Sequence, residues 1–264
     1  MSQAIQTKSR SGTSPGVRVL REILIVGIGY LIYSQVRGLA GDRVVDAFYN
    51  GYRVIEIEQD LGIFKELALQ SLILPHALLI DIFNFIYFYG LFPVLIPIAI
   101  FLFWRRPHVY VLARNAFLLS GAIAVIFYTL LPTAPPRLIG FGFIDTLGQS
   151  MTPTYDSIPG VNHFAAVPSM HVGWNFLMAV ALYIGLKGTR FRELVLLFPF
   201  VMFTSTLVTG NHYIVDGLLG IVVASTALYL AYKIQRWDDR RRDRAELRRA
   251  EAEALEAAQA PSSS

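Results

Sequence analysis

The chain has 264 residues, of which 54% are hydrophobic and 16% charged, with a mean hydropathy of +0.49. That is too apolar for a soluble domain of this length and describes a polytopic membrane protein of all-α class. The net charge of +4 says little by itself, no nucleic-acid partner is expected, and the absence of cysteine excludes a disulfide framework and a thiolate metal site.

Residues 1–17, rich in Ser, Thr, Gln and Gly, read as a disordered leader. Arg18 and Arg21 then precede an apolar run from Val17 to Val36 that is long enough to span a bilayer and is not followed by an A-x-A cleavage site. Residues 38–77 mix charge with an apolar stripe at Val44, Phe48, Tyr52 and Ile55, which predicts an amphipathic helix on the membrane face, broken at Asp60, Gly62 and Pro75. Glu56, Glu58, Asp60 and Glu66 are expected on its solvated polar side.

Leu78 to Trp104 reads as a second span, with Pro93 and Pro97 as kinks, and Arg105 to His108 as the turn that closes it. Val109 to Leu131 is the third span, about 35 Å of helix against a hydrocarbon core of about 30 Å. Pro132 to Pro168 is a long proline-rich loop of the kind that carries function. Three more spans follow, Met170 to Leu186, Leu194 to Val208 and Tyr213 to Tyr232, making a six-helix membrane domain over 18–234. The tail, 235–264, carries seven Arg against seven Asp and Glu and predicts a solvated helix.

With both termini cytoplasmic, 18 of the 23 Lys and Arg residues fall inside, leaving Arg37, Arg43, Arg53, Lys65 and Arg137 outside. The positive-inside rule favours this orientation in the plasma membrane. The same orientation places Arg137, His171, His212 and Asp216 together at the external face.

Those four residues carry the chemistry. In Thr209 to Gly217, T-G-N-H-Y-I-V-D-G, His212 and Asp216 are four apart at a helix start, so the carboxylate can accept from one imidazole nitrogen and leave the other as nucleophile or base. In Phe164 to Trp174, F-A-A-V-P-S-M-H-V-G-W, His171 opens another apolar helix behind Ser169, whose hydroxyl and neighbouring amides suit an anion. Arg137, in L-P-T-A-P-P-R-L, offers a guanidinium fork to phosphate. His163 is a weaker neighbour, and His76 and His108 are assigned to surface positions. Ionisable groups at membrane depth point to function. A metal held by His163, His171, His212 and Asp216 is a competing reading. A transport path is another, although no inverted repeat is visible and the polar residues gather at one face.

P-S-M-H at 168–171 and H-x-x-x-D at 212–216 resemble the motifs of the type 2 phosphatidic acid phosphatase (PAP2) superfamily. P-T-A-P-P-R-L, F-A-A-V-P-S-M-H and T-G-N-H-Y look most like its inositol phosphorylceramide synthase branch. The resemblance covers roughly residues 80–232. It implies a six-helix bundle and a metal-independent, cofactor-free lipid phosphatase or phosphotransferase that works through a phosphohistidine. His212 would attack, Asp216 orient, and His171 act as acid and base. Arg137 and Ser169 would hold the phosphate of a lipid phosphate or phosphodiester, with water or an alcohol as acceptor. The family's first motif, K-x6-R-P, keeps only Arg137, with Leu130 and Leu138 at the other places. Its third, S-R-x5-H, keeps Ser205 but has Thr206 for the arginine.

Overall fold

A computed structural model describes residues 14–38, 43–148 and 162–259. The leader up to residue 13, the loop stretch 149–161 with Pro153 and Pro159, and the last five residues of the tail lie outside them. The described chain is helical, and its one extended pairing is an isolated parallel bridge between Thr133 and Ala165.

Helix α1 runs Pro15–Gly38, with proline in its first position, where the missing N–H is not needed. Helices α2 (Val44–Asp60) and α3 (Glu66–Ile73) form the segment after it. Helix α4 (Ala77–Tyr89) and α5 (Phe92–Arg105) are separated at Gly90–Leu91 and bent by 47°. The single kinked span expected over 78–104 is thus two helices. Pro93 supplies no N–H to the carbonyl of Tyr89, where α4 ends. Pro97 remains inside α5. Then come α6 (Pro107–Leu130), the short α7 (Pro136–Ile139), α8 (Met170–Gly185), a 3-10 turn at Arg192–Leu196, α9 (Leu197–Val208) and α10 (Ile214–Gln259).

Three of these helices, α1, α6 and α10, are long and apolar enough to cross a membrane, and the bent pair α4–α5 makes a fourth if counted as one span. Helix α8, with 16 residues, is apolar but shorter, and α9 has 12. This is a membrane protein by composition and by these helices.

Helix α8 sits at the centre, packed against α5, α6, α9 and α10, which is why it is apolar on almost every side. Trp174 and Met178 join Met202 of α9, Val223 of α10 and Ala124 of α6 in one core cluster. The indole N–H of Trp174 donates to Ser120 Oγ at 3.0 Å. Helices α8 and α10 touch backbone to backbone through Gly173 and Gly220, where a methyl on Gly220 would lie 2.1 Å from the Ser169 carbonyl oxygen.

The segment of α2 and α3 departs from expectation at two residues. Glu58 and Glu66 are fully buried, not on a solvated face. Their carboxyl oxygens accept from the backbone N–H groups of Val215 (2.7 Å) and Ile214 (2.8 Å), the first residues of α10, which no helical carbonyl can satisfy. The apolar stripe therefore tells only half of this segment's packing: Ile55 turns inward, and the acids beside it turn inward with it.

Candidate active site

The site forms where the polar ends of α4, α8 and α10 meet the 132–148 segment. Ser169 caps α8, its hydroxyl accepting from Val172 N–H at 3.5 Å, while its own N–H donates to the Asp216 carbonyl at 3.0 Å. That bond ties the two histidine-bearing helix starts together. Asn175 Nδ2 donates to the His171 carbonyl, and the Tyr128 hydroxyl to that of Pro168, both at 2.9 Å.

His212 is set by a turn. Helix α9 ends at Val208, and Gly210 takes φ +67, a left-handed conformation that costs glycine nothing. The amides of Asn211 and His212 then bond back to the Thr206 carbonyl. The imidazole is 4% exposed. Its Nδ1 lies 3.1 Å from both the Ala166 carbonyl and Asp216 Oδ2. A carbonyl can only accept, so Nδ1 carries the proton and the neutral ring's lone pair is on Nε2. Asp216, fully buried, also accepts from Tyr213 N–H at 3.0 Å, which fixes the carboxylate as well as the ring.

The rings of His171 and His212 stand 5.6 Å apart between centroids. A third ring, Tyr87 of α4, stacks on His171 at 4.4 Å and lies 6.3 Å from His212. Tyr87 has no signal in the sequence, being one of five aromatics between Phe83 and Tyr89. His163 is half-buried in the turn ahead of the Thr133–Ala165 bridge. Among the described residues no three His, Asp or Glu side chains gather in a metal-binding arrangement.

Arg137, on α7, is 7% exposed and is held in place. Its backbone N–H donates to the Gly210 carbonyl at 2.8 Å, its Nε to Asn211 Oδ1 at 2.9 Å and its Nη1 to Asp145 Oδ2 at 2.7 Å. Asn211 and Asp145 are partners the sequence reading did not name. An acid in the otherwise apolar F-G-F-I-D-T-L was the available signal for the second. The residues flanking Asp145 are clamped from both sides. Gln70 of α3 exchanges two bonds with the backbone of Ile144, at 2.9 and 3.0 Å, and Asn84 of α4 exchanges two with Thr146, both at 3.1 Å.

The structure therefore brings together His171, His212, Asp216 and Ser169 around one junction, with Arg137 tied to it through Asn211. Such a group can attack an electrophile with Nε2 of His212, move a proton on His171 and face an anion with a guanidinium. Comparison with known proteins agrees in kind. The PAP2 superfamily model matches residues 52–230. The phosphoinositol dihydroceramide synthase of Bacteroides thetaiotaomicron is 30% identical over 169 residues, which is 56% of this chain and 54% of that protein, so the chain spans about half the length of the curated relative it matches. No solved structure matches the chain.

Proposed function

The chain belongs to the PAP2 superfamily, and on that premise we propose that it is a membrane-embedded enzyme that transfers the phosphoryl group of a lipid phosphate or phosphodiester through a phosphohistidine at His212. The observation that carries this is the His212 ring, whose Nδ1 is held between the Ala166 carbonyl and Asp216 so that Nε2 has the lone pair. Nε2 attacks phosphorus, and the bond to the lipid oxygen breaks. That oxygen takes a proton from His171. His171 then removes a proton from water or an alcohol, whose oxygen displaces His212 and regenerates the free ring. Arg137, Ser169 and the amides beside it meet the equatorial oxygens as charge redistributes.

An apolar cavity of about 740 Å³ supports a lipid substrate. It lies between α1, α5, α6 and α8, lined by Tyr30, Phe92, Phe117 and Trp174 among others. Trp174 is one turn along α8 from His171, so a hydrocarbon chain can lie in the cavity with its phosphate at the histidines. The name of the Bacteroides relative favours a synthase over a phosphatase, and with it an alcohol as acceptor. In this reading the bundle has six spans, α8 and α9 included, lies in the plasma membrane with both termini cytoplasmic, and faces its site outward.

The test is chemical trapping. A phosphoramidate is labile in acid and stable in base, so acid must be avoided in the quench. An aryl phosphodiester labelled at phosphorus, whose aryl leaving group needs no acid, should leave label on His212 in a His171→Ala variant. Turnover of that substrate with no label on the protein, stopped by a chelator, would overturn the phosphohistidine and favour a metal-activated water.

A further inference from the structure

We propose that Asp145 is a specificity-determining residue that restricts this site to phosphates carrying a single negative charge, which makes a phosphodiester, not a phosphomonoester, its substrate. The inference rests on the phosphoryl-transfer reading above and adds the charge state of the group transferred.

Arg137 is the cation that hydrogen bonds tie to the Asn211–His212 turn, and its Nη1 is paired with Asp145 at 2.7 Å. The other described cations of the same face do not replace it. Arg43, Arg53 and Lys65 are exposed on α2 and at the start of α3, and the first two pair with Asp46 and Glu56. Asp145 is also not a loosely held surface acid that could swing away. Its Oδ1 accepts from Gly148 N–H at 2.8 Å, and the peptides on either side are gripped by Gln70 and Asn84, themselves 0% and 2% exposed. The guanidinium and carboxylate together bring no net charge to the phosphate.

A phosphodiester brings one negative charge, which the donors around Ser169 and a protonated His171 can balance. A phosphomonoester loses its second proton near pH 6 and brings almost two charges at pH 7. The additional charge meets a fixed carboxylate beside the guanidinium bonded to this turn, and Asp145, its side chain 31% exposed, is partly withdrawn from water, a setting in which charges interact more strongly. Repulsion of the wrong ligand is a common source of specificity.

The experiment compares kcat/KM, read as diacylglycerol release, for a phosphatidic acid and for a phosphatidyl alcohol with the same acyl chains. The wild type should prefer the diester, and Asp145→Asn should raise the monoester-to-diester ratio on the order of tenfold, while Asp145→Glu should keep it low. An unchanged ratio in Asp145→Asn, with both substrates still turned over, overturns the assignment of Asp145 alone. Turnover of neither by the wild type overturns the phosphoryl-transfer reading and this assignment with it. Should Asp145→Asn fail to fold, the wild type decides. At pH 7.5, where the monoester carries close to two charges, its kcat/KM should lie about tenfold or more below that of the diester, and equal values overturn the proposal.

Discussion

The ring of Tyr87 lies against the ring of His171, centroids 4.4 Å apart and planes inclined by 27°. Tyr87 belongs to α4 and His171 to α8, so the proposed general acid is held from outside its own helix. Stacking of this kind fixes an imidazole's plane. Tyr87→Leu should lower kcat about 10- to 100-fold with little change in KM, as expected when a reacting group loses its alignment. Tyr87→Phe should keep most of the rate. Equal losses in the two variants, measured by steady-state kinetics on one lipid substrate, would tie the effect to the hydroxyl and not the ring.

His212→Ala and His171→Ala should each reduce turnover to background while leaving thermal stability in detergent near that of the parent. Asp216→Asn should lose less, about 100-fold, because the Ala166 carbonyl still holds the Nδ1 proton in place. A histidine variant with wild-type rate would remove that residue from the mechanism.

Gly220→Ala should inactivate the protein without touching a catalytic side chain. Its methyl would sit 2.1 Å from the Ser169 carbonyl oxygen, so α8 must move away from α10 and carry His171 from His212. The cost in stability is about 1–3 kcal/mol, and a thermal melt alongside an activity assay separates the two effects. Full activity in Gly220→Ala would show that this close approach is not needed.

Burial, with the Glu66 carboxyl beside it, pushes Glu58 up from 4.5 to about 9. The folded chain thus holds this proton over a range in which the unfolded chain has released it. Stability from Glu58 is complete below about pH 4.5 and is lost as pH climbs toward 9. The melting temperature in detergent should fall between pH 7 and 9, and Glu58→Gln, which cannot ionise, should flatten that fall. An equal slope in both proteins would remove Glu58 as its origin.

Orientation can be read by cysteine labelling, since the chain has no cysteine of its own. Leu61 and Thr189 are exposed positions on the two sides of the proposed topology. Cysteine at Leu61 should react with an impermeant thiol reagent in intact cells, and cysteine at Thr189 only after lysis. Gly148 and Gly188 are poorer choices, because a Cβ on the first meets the Asp145 carboxylate at 2.7 Å and the second has φ +92. The reverse pattern would turn the site to the cytoplasm.

What could be read in advance was whatever is local in the chain. His212 and Asp216 are one helical turn apart, and Pro168-Ser169 announces the start of α8, so both features carry their geometry in their spacing. Tyr87 and Asn211 are different, because each matters through a residue tens of positions away: Tyr87 meets His171 from another helix, and Arg137 meets Asn211 across 74 residues, while Asp145 is only eight from Arg137 but in a segment without a period. No periodicity records such a pairing. Glu58 and Glu66 were misplaced for a related reason. An acid in an amphipathic helix looks solvated until a second helix presents bare N–H groups to it, and those groups belong to residues 214 and 215. The break at Gly90–Leu91 was half visible, since Pro93 marks the place but does not say whether neighbours hold the helix straight.

Helix α10 is unbroken from its first turn, which holds Asp216, to Gln259, a length of 46 residues or about 69 Å. Some 40 Å of it therefore stands clear of a hydrocarbon core about 30 Å thick. A small rigid protein grafted in continuous helical register near its end would share the bundle's frame, and each residue deleted at the joint would swing it about 100° around the axis. Its compass bearing could be chosen by counting residues, which gives a 29.5 kDa membrane enzyme an alignment mark for electron microscopy fixed to the same rod as Asp216.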